Sequence, residues 1–551
     1  MKLHKISFVM LTALLATASC DDINNQVPQT GIITAEQSVE AVEEISSRTE
    51  ASFNALFPLL GKPWSSFPSS ERPDDFGFSM AALSLDMEGA DLTGQDNDYN
   101  WFSAASEYSS RNPDYANPYI RYKSAYMVIG AANDVLAAIP EETTDATLIS
   151  QKAQARAIRA YSYMALAPYY QGRYVDCKDQ PCVPILESGV DITNNPRATV
   201  EKVYEYIMED LNYAVENLAG FQRSGKAFID QQVAYGLRAR AYLNMGMYKE
   251  AAADAEKALQ GYTPASIEEV SVPAFCNMAN EHNWIWGINM TSDMVEGSKG
   301  NATIPSWLCA FAGSGYGTAT GNVPVINSML YNKISTTDVR HGWWLDENMH
   351  SPNWADLEWK DGSTVLAKGD DIAETVIPDV KLAFLPYTNI KFGMKSGVGS
   401  SVNDSDWPLM RVEEMILVQV EGLAKSGEEA KAKQILTDFV KTYRDPQYTI
   451  PATNVRSFED EIWFQRRVEL WGEGFFVSDA RRLNKPIVRF HGEGTSNFPE
   501  AYQFNISPDD PWLNMRFSKR ETNNNAGIDN NTGGSLPAQY QNPGLPDGVT
   551  D

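Results

Sequence analysis

The clearest indication of the fold is the sequence of residues 232–264, QVAYGLRARAYLNMGMYKEAAADAEKALQGYTP. Small and aromatic residues recur in this stretch at helical spacing, and Gly246 separates the first run from the second. Small residues let two helices cross closely, aromatic residues fill the space beside them, and a glycine permits a tight turn. The stretch therefore predicts two helices joined by a short turn.

The spacing is close to that of a tetratricopeptide repeat, although Arg238 stands where that pattern has leucine and Pro264 comes one residue late. A weaker second copy runs from Gly427 to Ala432, and further apolar stripes lie in 149–171 and 200–218. One such unit cannot bury its own apolar face, so several must stack. We predict a mainly α protein with a tetratricopeptide-like helical-repeat scaffold of about four helix pairs, in segments 118–260 and 409–482.

Two other segments, 58–117 and 264–408, are interrupted every few residues by Gly, Asn, Ser, Thr or Pro and show no long helical stripe. We expect loops and short strands there, forming a large ligand-binding face on the scaffold. The tail after Asn523 has little to bury, and we expect it to be loosely held. Residues 32–551 are predicted to form a single domain.

The chain of 551 residues carries 45 basic and 72 acidic side chains, a formal charge of −27. Nucleic acids and anionic lipid surfaces are recognised by clustered Lys and Arg, so this balance argues against both as partners. After the first twenty residues, no stretch is apolar for the length that a membrane-spanning helix needs.

The first twenty residues predict export. A short basic start with Lys2 and Lys5 precedes an apolar run from Ile6 to Ala18, and small residues lead to Cys20. This pattern resembles a bacterial lipobox, which makes residues 1–19 a signal peptide, Cys20 the lipid-attachment site and 20–31 a polar tether. The alternative is a plain secretory peptide with an incidental cysteine.

Four cysteines lie beyond the lipobox. In an exported protein they can pair in three ways. Cys177 and Cys182 enclose a short loop and form the favoured disulfide; the alternative is four unpaired thiols.

Five motifs in order along the chain carry a family resemblance. They are Ala131-Ala132-Asn133; Ala155–Tyr163; Arg197–Leu218; Arg411, Glu414, Leu417 and Glu421; and Arg466, Glu469, Leu470, Glu473, Gly474, Asp479 and Arg482. With them the chain resembles the SusD/RagB family of surface-exposed, outer-membrane nutrient-binding lipoproteins, from Cys20 to about Asn525. Gln465 and Phe476 depart from the family pattern, which has Glu and Arg there.

The resemblance implies a four-repeat helical scaffold with a variable, loop-rich face that holds the ligand. Such proteins bind glycans or, in some branches, peptides, and they are not enzymes. The implied partner is a TonB-dependent outer-membrane barrel of the SusC type, to which the lipoprotein delivers its ligand at the cell exterior.

Tryptophans cluster in the less regular part of the chain: seven of the thirteen lie between residues 284 and 359. An aromatic plane matches the C–H face of a sugar ring, and loops on a rigid scaffold often carry such sites. Alternatively, Trp284 and Trp286 alternate on a strand and one of them is core. Trp101, in the first irregular segment, is an independent candidate. The candidate ligand-binding residues are Trp101, Trp284, Trp286, Trp307, Tyr316, Trp343 and Trp344.

The acidic residues Asp86, Glu88, Asp91, Asp96 and Asp98 offer oxygen ligands of the kind that Ca²⁺ prefers, but their spacing matches no known loop motif and a solvated acidic loop is the alternative. The histidines form no metal-binding pattern. We expect no cofactor.

The predicted function is therefore capture of oligosaccharides or polysaccharide and their delivery to the transporter. Peptide binding within the same family is the alternative. A glycoside hydrolase, which requires two carboxylates across a cleft, and a repeat protein that only docks other proteins are further hypotheses. Acidic pairs such as Glu413 and Glu414 are inevitable in so acidic a chain and do not by themselves indicate catalysis.

Overall fold

The computed structural model describes residues 39, 41–42, 45–70, 72–94, 101–296, 308–312, 323–374 and 384–551. The predicted signal peptide, Cys20 and the tether lie outside these residues.

The described residues form the helices α1 (Glu50–Leu59), α2 (Gly77–Glu88), α3 (Ser103–Ser106), α4 (Ala116–Ala138), α5 (Ala146–Met164), α6 (Ala167–Tyr170), α7 (Tyr174–Cys177), α8 (Val200–Asn217), α9 (Gln231–Met245), α10 (Tyr248–Ala258), α11 (Ile267–Val270), α12 (Ser328–Tyr331), α13 (Asp371–Glu374), α14 (Val412–Lys425), α15 (Glu429–Tyr443), α16 (Phe458–Glu469), α17 (Phe476–Arg482) and α18 (Lys519–Asn524).

The long helices stack in chain order. Helix α4 packs on α5, α5 on α8, α8 on α9, α9 on α10, α10 on α14 and α14 on α15. Each helix is covered by the next, as a repeat array requires, because a lone pair leaves one apolar face exposed. The predicted helical scaffold is confirmed. Of the described residues, no helix is both long and apolar enough to cross a bilayer.

Two glycines allow the close approaches in this stack. Gly246 joins α9 to α10 with φ +74°, a left-handed conformation that favours glycine. Gly422 lies where α14 crosses α10, and a Cβ there would sit 2.5 Å from the carbonyl oxygen of Tyr248. Arg238, which departs from the repeat pattern, donates two hydrogen bonds to the buried Asp254 of α10, at 2.6 and 3.1 Å. The arginine therefore joins the two helices by an ion pair instead of by apolar packing.

Local side chains determine where the scaffold helices begin. Asp145 accepts a hydrogen bond from the backbone N–H of Thr147 at 2.8 Å at the start of α5. Thr199 and Asp230 cap α8 and α9 in the same way, with N–H···O distances of 3.2 and 3.0 Å. Each cap satisfies a backbone donor that the helix leaves unpaired, and such caps contribute about 1 kcal/mol.

The strands are short and pair antiparallel in three two-stranded sheets: β1 (Leu92–Thr93) with β3 (Val325–Ile326), β2 (Trp284–Ile288) with β6 (Trp407–Arg411), and β4 (Glu358–Asp361) with β5 (Thr364–Lys368). Segment 58–117 also contains the 12-residue helix α2, which the sequence did not predict. Ten of its residues are buried, so it has no polar face and shows no apolar stripe.

The C-terminal tail is held in place, contrary to the expectation. The side chain of Asn531 donates to the backbone oxygens of Tyr170 and Met515, both at 2.7 Å. Asp547 forms an ion pair with the buried Arg467, and Val549 is buried. The prediction was wrong because the tail is anchored by hydrogen bonds and an ion pair, which apolar content does not measure.

The predicted Cys177–Cys182 disulfide is not formed; both thiols are free, as are those of Cys276 and Cys309. Cys182 is fully buried, with its Sγ 3.7 Å from the backbone oxygen of Ala167. Cys177 lies in α7 with its Sγ beside Gly172. The Cys182 sulfur therefore packs against α6, whereas the Cys177 sulfur lies beside Gly172, which follows α6.

Candidate ligand-binding cleft

Four of the aromatic residues predicted to bind ligand lie in the core. Trp284, Trp286, Trp343 and Trp344 have at most 1% of their surface exposed. All five residues of β2 are buried, so both faces of the strand are covered and both indoles lie in the core. Buried side chains such as these present no face to a ligand. The clustering of tryptophan in the sequence therefore marked the core of the less regular part of the chain.

These indoles instead pack on the scaffold and on buried cations. The Trp286 ring meets Tyr161 of α5 edge to face, with centroids 5.0 Å apart. The Trp343 ring lies 4.9 Å from the Nζ of Lys391, and its indole N–H donates to the backbone oxygen of Val270 at 2.9 Å. Trp307 and Tyr316 lie outside the described residues.

Trp101 is placed differently from the other predicted residues, because its side chain is partly exposed. The Cζ atom of Arg72 lies 5.1 Å from the centroid of its ring. Arg72 in turn borders a surface cleft of about 260 Å³. The cleft is lined by Phe67, Ser70, Arg72, Pro113, Asp114, Tyr115, Ala116, Tyr119, Ser518, Lys519 and Arg520.

Aromatic rings and guanidinium groups alternate along this cleft. The Phe67 and Tyr119 rings have centroids 5.2 Å apart at 57°. The Cζ of Arg520 lies 5.0 Å from the Phe67 ring and 5.1 Å from the Tyr119 ring, and the Cζ of Arg72 lies 5.8 Å from Phe67. The result is a set of partly exposed aromatic side chains packed against two guanidinium groups, which carry hydrogen-bond donors.

Two adjacent carboxylates set the positions of Phe67 and Arg72. Asp75 accepts hydrogen bonds from the backbone N–H groups of Ser66 at 2.9 Å and Phe67 at 2.8 Å, which fixes the loop before the cleft. Asp74 binds the Arg72 guanidinium through both oxygens, at 3.1 and 2.8 Å. Burial raises the pKa of both carboxyl groups above their ordinary values, and Arg72 opposes that rise.

The opposite wall of the cleft comes from the C-terminal segment. Ser518 caps α18 by accepting from the backbone N–H of Glu521 at 3.3 Å. The ammonium group of Lys519 lies 2.6 Å from a carboxylate oxygen of Asp114. Residues from three distant parts of the chain thus meet at one surface. Phe67, Tyr119 and Arg520 were not predicted from the sequence, because no local pattern connects them.

A second cavity, of about 150 Å³, lies inside the helical scaffold. Ion pairs line it: Arg240 binds Glu414 through two bonds of 2.6 Å, and Arg482 binds Asp479 at 2.8 Å. Its volume matches a ligand of about the size of benzene. The surface cleft has the larger volume and carries partly exposed aromatic side chains, so it is the better candidate for a polymeric ligand.

The motif residues behind the resemblance make buried ion pairs between the stacked helices. Arg159 of α5 binds Asp210 of α8 through two bonds of 2.8 Å and donates to Asn133 of α4 at 2.7 Å. Glu469 accepts hydrogen bonds from three buried arginines. The N···O distances are 3.3 Å for Arg340, 3.2 Å for Arg411, and 2.8 and 2.9 Å for Arg444. The pKa of Glu469 is therefore held well below its ordinary value, although burial opposes the fall. Gln465 accepts from Arg340 at 2.7 Å, so its departure from the family pattern changes one partner in this network and leaves the network intact.

The acidic residues proposed as calcium ligands have separate partners. Asp86 accepts from the backbone N–H of Gly474 at 2.8 Å. Glu88 pairs with Arg111 and Arg121, and Asp91 pairs with Arg467. Asp96 and Asp98 lie outside the described residues. Throughout the part of the chain that the structure describes, no group of three or more His, Cys, Asp or Glu side chains is arranged to hold a metal ion.

Comparison with known proteins gives two matches to family models. Residues 79–243 match a SusD-like model described as starch-binding and associating with the outer membrane, and residues 382–543 match the SusD family model. Together they span more than half of the chain. A SusD-like protein of Bacteroides ovatus is 23% identical over 251 residues, which is 43% of this chain and 39% of that relative.

Solved structures of similar fold extend over most of the chain. A SusD superfamily protein from Bacteroides thetaiotaomicron has a TM-score of 0.68 at 21% identity, covering 88% of this chain and 99% of that chain. A SusD-like carbohydrate binding protein from Bacteroides vulgatus has a TM-score of 0.68 at 22% identity, covering 88% of this chain and 97% of that chain. At these identities the likeness concerns the fold.

Proposed function

The chain belongs to the SusD/RagB family, and on that premise we propose that it captures oligosaccharides at the outer surface of the outer membrane and passes them to a TonB-dependent barrel transporter. The observation that carries the proposal is the cleft in which Phe67 and Tyr119 alternate with Arg72 and Arg520. The family description as starch-binding and associating with the outer membrane supports it.

The chemistry of the cleft suits a sugar chain. The rings of Phe67 and Tyr119 in the cleft, and of Trp101 beside Arg72, suit the C–H faces of pyranose rings, because stacking removes apolar surface from water on both sides. Arg72 and Arg520 supply donors for the hydroxyl rim. Arg72 is already oriented by Asp74, so little side-chain entropy is lost when it binds.

Glu413 and Glu414 are the acidic pair considered for a glycoside hydrolase. Their positions agree with ligand binding without catalysis. Glu413 and Glu414 are at most 1% exposed. Glu413 accepts from Arg411 at 2.8 Å and from Arg444 at 3.1 Å, and Glu414 binds Arg240. Carboxylates in such positions stabilise the scaffold, and neither of them lines the surface cleft. Incubation with a polysaccharide panel should release no reducing ends.

The binding proposal is tested with the purified protein against arrays of oligosaccharides and of peptides, followed by calorimetry on the best ligand. Trp101→Ala and Tyr119→Ala should each weaken glycan binding by about three- to tenfold, the loss expected from one aromatic stacking contact. Tyr213→Ala is the matched control, since Tyr213 also carries an arginine, Arg156, over its ring at 4.4 Å but lies in α8 outside the cleft.

Trp286→Phe separates the cleft from the tryptophan cluster that the sequence suggested. It should leave glycan affinity unchanged, because Trp286 is fully buried. Binding of peptides alone would overturn the carbohydrate part of the proposal. Loss of glycan binding in Trp286→Phe, with the cleft variants unaffected, would place the site elsewhere.

Attachment of the chain to the membrane and delivery of the ligand to a transporter are tested by separate measurements. Labelling of cells with a radioactive fatty acid should mark the wild-type chain but not Cys20→Ala, and protease added to intact cells should digest the anchored protein. Purification from detergent-solubilised outer membranes should bring down a TonB-dependent barrel. Recovery of the chain from the cytosol alone, or without such a barrel, would refute these parts of the proposal.

A further inference from the structure

Four arginines crowd a buried region where α17, the segment around Tyr108 and residues 511–516 meet. The Cζ atoms of Arg111 and Arg489 lie 4.5 and 5.4 Å from the Tyr108 ring centroid. Arg516 covers the Trp512 ring at 4.3 Å, and the Trp512 indole donates to the backbone oxygen of Tyr108 at 3.1 Å. The fourth, Arg481 of α17, donates to the side chain of Asn514 in the same segment.

Three of these cations have compensating partners. Arg111 pairs with Glu88, which it shares with Arg121. Arg489 donates to the backbone oxygens that end α2, where the helix dipole is negative. Arg516 donates to backbone oxygens of residues 511–514 and stacks on an indole.

Arg481 has no carboxylate partner among the described residues. Its side chain is 7% exposed, and its Nε and Nη1 atoms have no hydrogen-bond acceptor in that part of the chain. Burial lowers the pKa of this guanidinium to about 10, and the positive charge of Arg111 adds to the effect. An uncompensated buried charge with unmade hydrogen bonds is costly, which indicates that an acceptor is missing.

A small pocket borders Arg481. Three arginines, Arg173, Arg481 and Arg482, line it together with neutral residues, and no carboxylate is part of its wall. Arg173 is paired with Asp176 and Arg482 with Asp479 and Glu421, which leaves the Arg481 charge free. The volume of about 10 Å³ accommodates about one water-sized particle.

We propose that this pocket is an anion site in which one chloride ion accepts hydrogen bonds from the Arg481 guanidinium. Room for about one water-sized particle matches a monatomic anion better than a polyatomic one such as sulfate. A water molecule in the same place would accept hydrogen bonds but leave the positive charge uncompensated. A halide ion supplies both a hydrogen-bond acceptor and a compensating negative charge.

The site joins three parts of the fold. Arg481 belongs to α17 and donates from Nη2 to the backbone oxygen of Gln171 and the side chain of Asn514. Neutralising its charge therefore stabilises the junction between the scaffold and the C-terminal segment. That segment continues to Arg520 in the surface cleft, although the anion site does not depend on what the cleft binds.

The test is thermal unfolding of the purified full chain in sodium chloride against sodium gluconate at equal ionic strength. Replacing gluconate with 500 mM chloride should raise the melting temperature by about 2 °C, and the rise should saturate as a single binding site does. Arg481→Met should remove the chloride-specific rise. Arg223→Met, which removes a similarly buried arginine paired with Asp230, should keep it.

Crystals soaked in sodium bromide provide a readout that does not depend on a variant. An anomalous bromide peak in contact with the Arg481 guanidinium is expected. Equal melting temperatures in the two salts, a chloride response that survives Arg481→Met, or ordered water without bromide at Arg481 would each overturn the proposal.

Discussion

Asp86 is a buried carboxyl group that has no cationic partner among the described residues, and its replacement by asparagine should stabilise the protein at neutral pH. Asp86 is 4% exposed and accepts backbone hydrogen bonds from Gly474 at 2.8 Å and Phe476 at 3.4 Å. Burial raises its pKa from 3.8 to about 7, those two bonds oppose the rise, and the charges of Asp91 and Glu473 add to it.

The sign of the pH dependence follows from the raised pKa. Near pH 3 the carboxyl group is protonated in both states and carries no penalty. Between pH 4 and 7 the unfolded chain releases a proton that the folded chain retains, so the unfolding free energy falls as the pH rises. The difference between pKa 3.8 and about 7 corresponds to a loss of about 4 kcal/mol that is complete above pH 7.

Asp86→Asn keeps an oxygen that accepts from Gly474 and has no charge to desolvate. Its advantage over the wild type should grow by about 3 kcal/mol between pH 5 and pH 8. Urea unfolding followed by tryptophan fluorescence at both pH values measures this difference. Glu88→Gln is the matched control in the same helix, because Arg111 and Arg121 lower the pKa of Glu88 and the neutral variant should be destabilised at pH 8.

Two results would refute this reasoning. One is an Asp86→Asn variant whose stability follows pH in parallel with the wild type. The other is an Asp86→Asn variant less stable than the wild type at pH 8, which would mean that the charge of Asp86 strengthens its two backbone hydrogen bonds by more than its burial costs.

Three further predictions concern the scaffold. Glu469→Gln should lower the unfolding free energy by about 3–5 kcal/mol, measured by urea unfolding, since it leaves three buried arginines undercompensated; an unchanged midpoint would contradict this. Gly422→Ala should cost about 1–3 kcal/mol in the same assay, because its Cβ would meet the Tyr248 carbonyl oxygen at 2.5 Å, and a neutral effect would show that α10 and α14 separate readily. Cys177→Ser should leave the melting temperature unchanged and lower the number of titratable thiols in the unfolded protein by one; a drop of stability together with one more titratable thiol than the wild type, from the released Cys182, would reveal a Cys177–Cys182 bond.

The buried ion pairs explain why family motifs were visible in so divergent a sequence. Arg159 donates hydrogen bonds to both Asp210 and Asn133 and so joins three helices. A change in one leaves the others buried and unpaired, which is more costly than a change of apolar side chain of similar volume. Charged motif residues of this kind, which resemble candidate catalytic residues, therefore join the helices to one another.

The helices of the scaffold could be predicted from the sequence because their signals are local. The apolar stripe of 200–218 and the turn at Gly246 are set by residues three or four positions apart, and the structure has α8, α9 and α10 there. Stacking of several such pairs followed from the need to cover each apolar face. Composition also indicated a globular chain unsuited to nucleic acids.

Which aromatic residues face solvent, and where charges are compensated, could not be predicted from the sequence and required the folded structure. Phe67, Tyr119 and Arg520 form one cleft although hundreds of residues separate the last from the others, while the clustered Trp284 and Trp343 are buried. A side chain's type and its neighbours in the chain do not determine its exposure, because the elements that cover it come from elsewhere in the chain. Periodicity is a property of adjacent residues, whereas a binding surface and a buried ion pair exist only after distant segments have met.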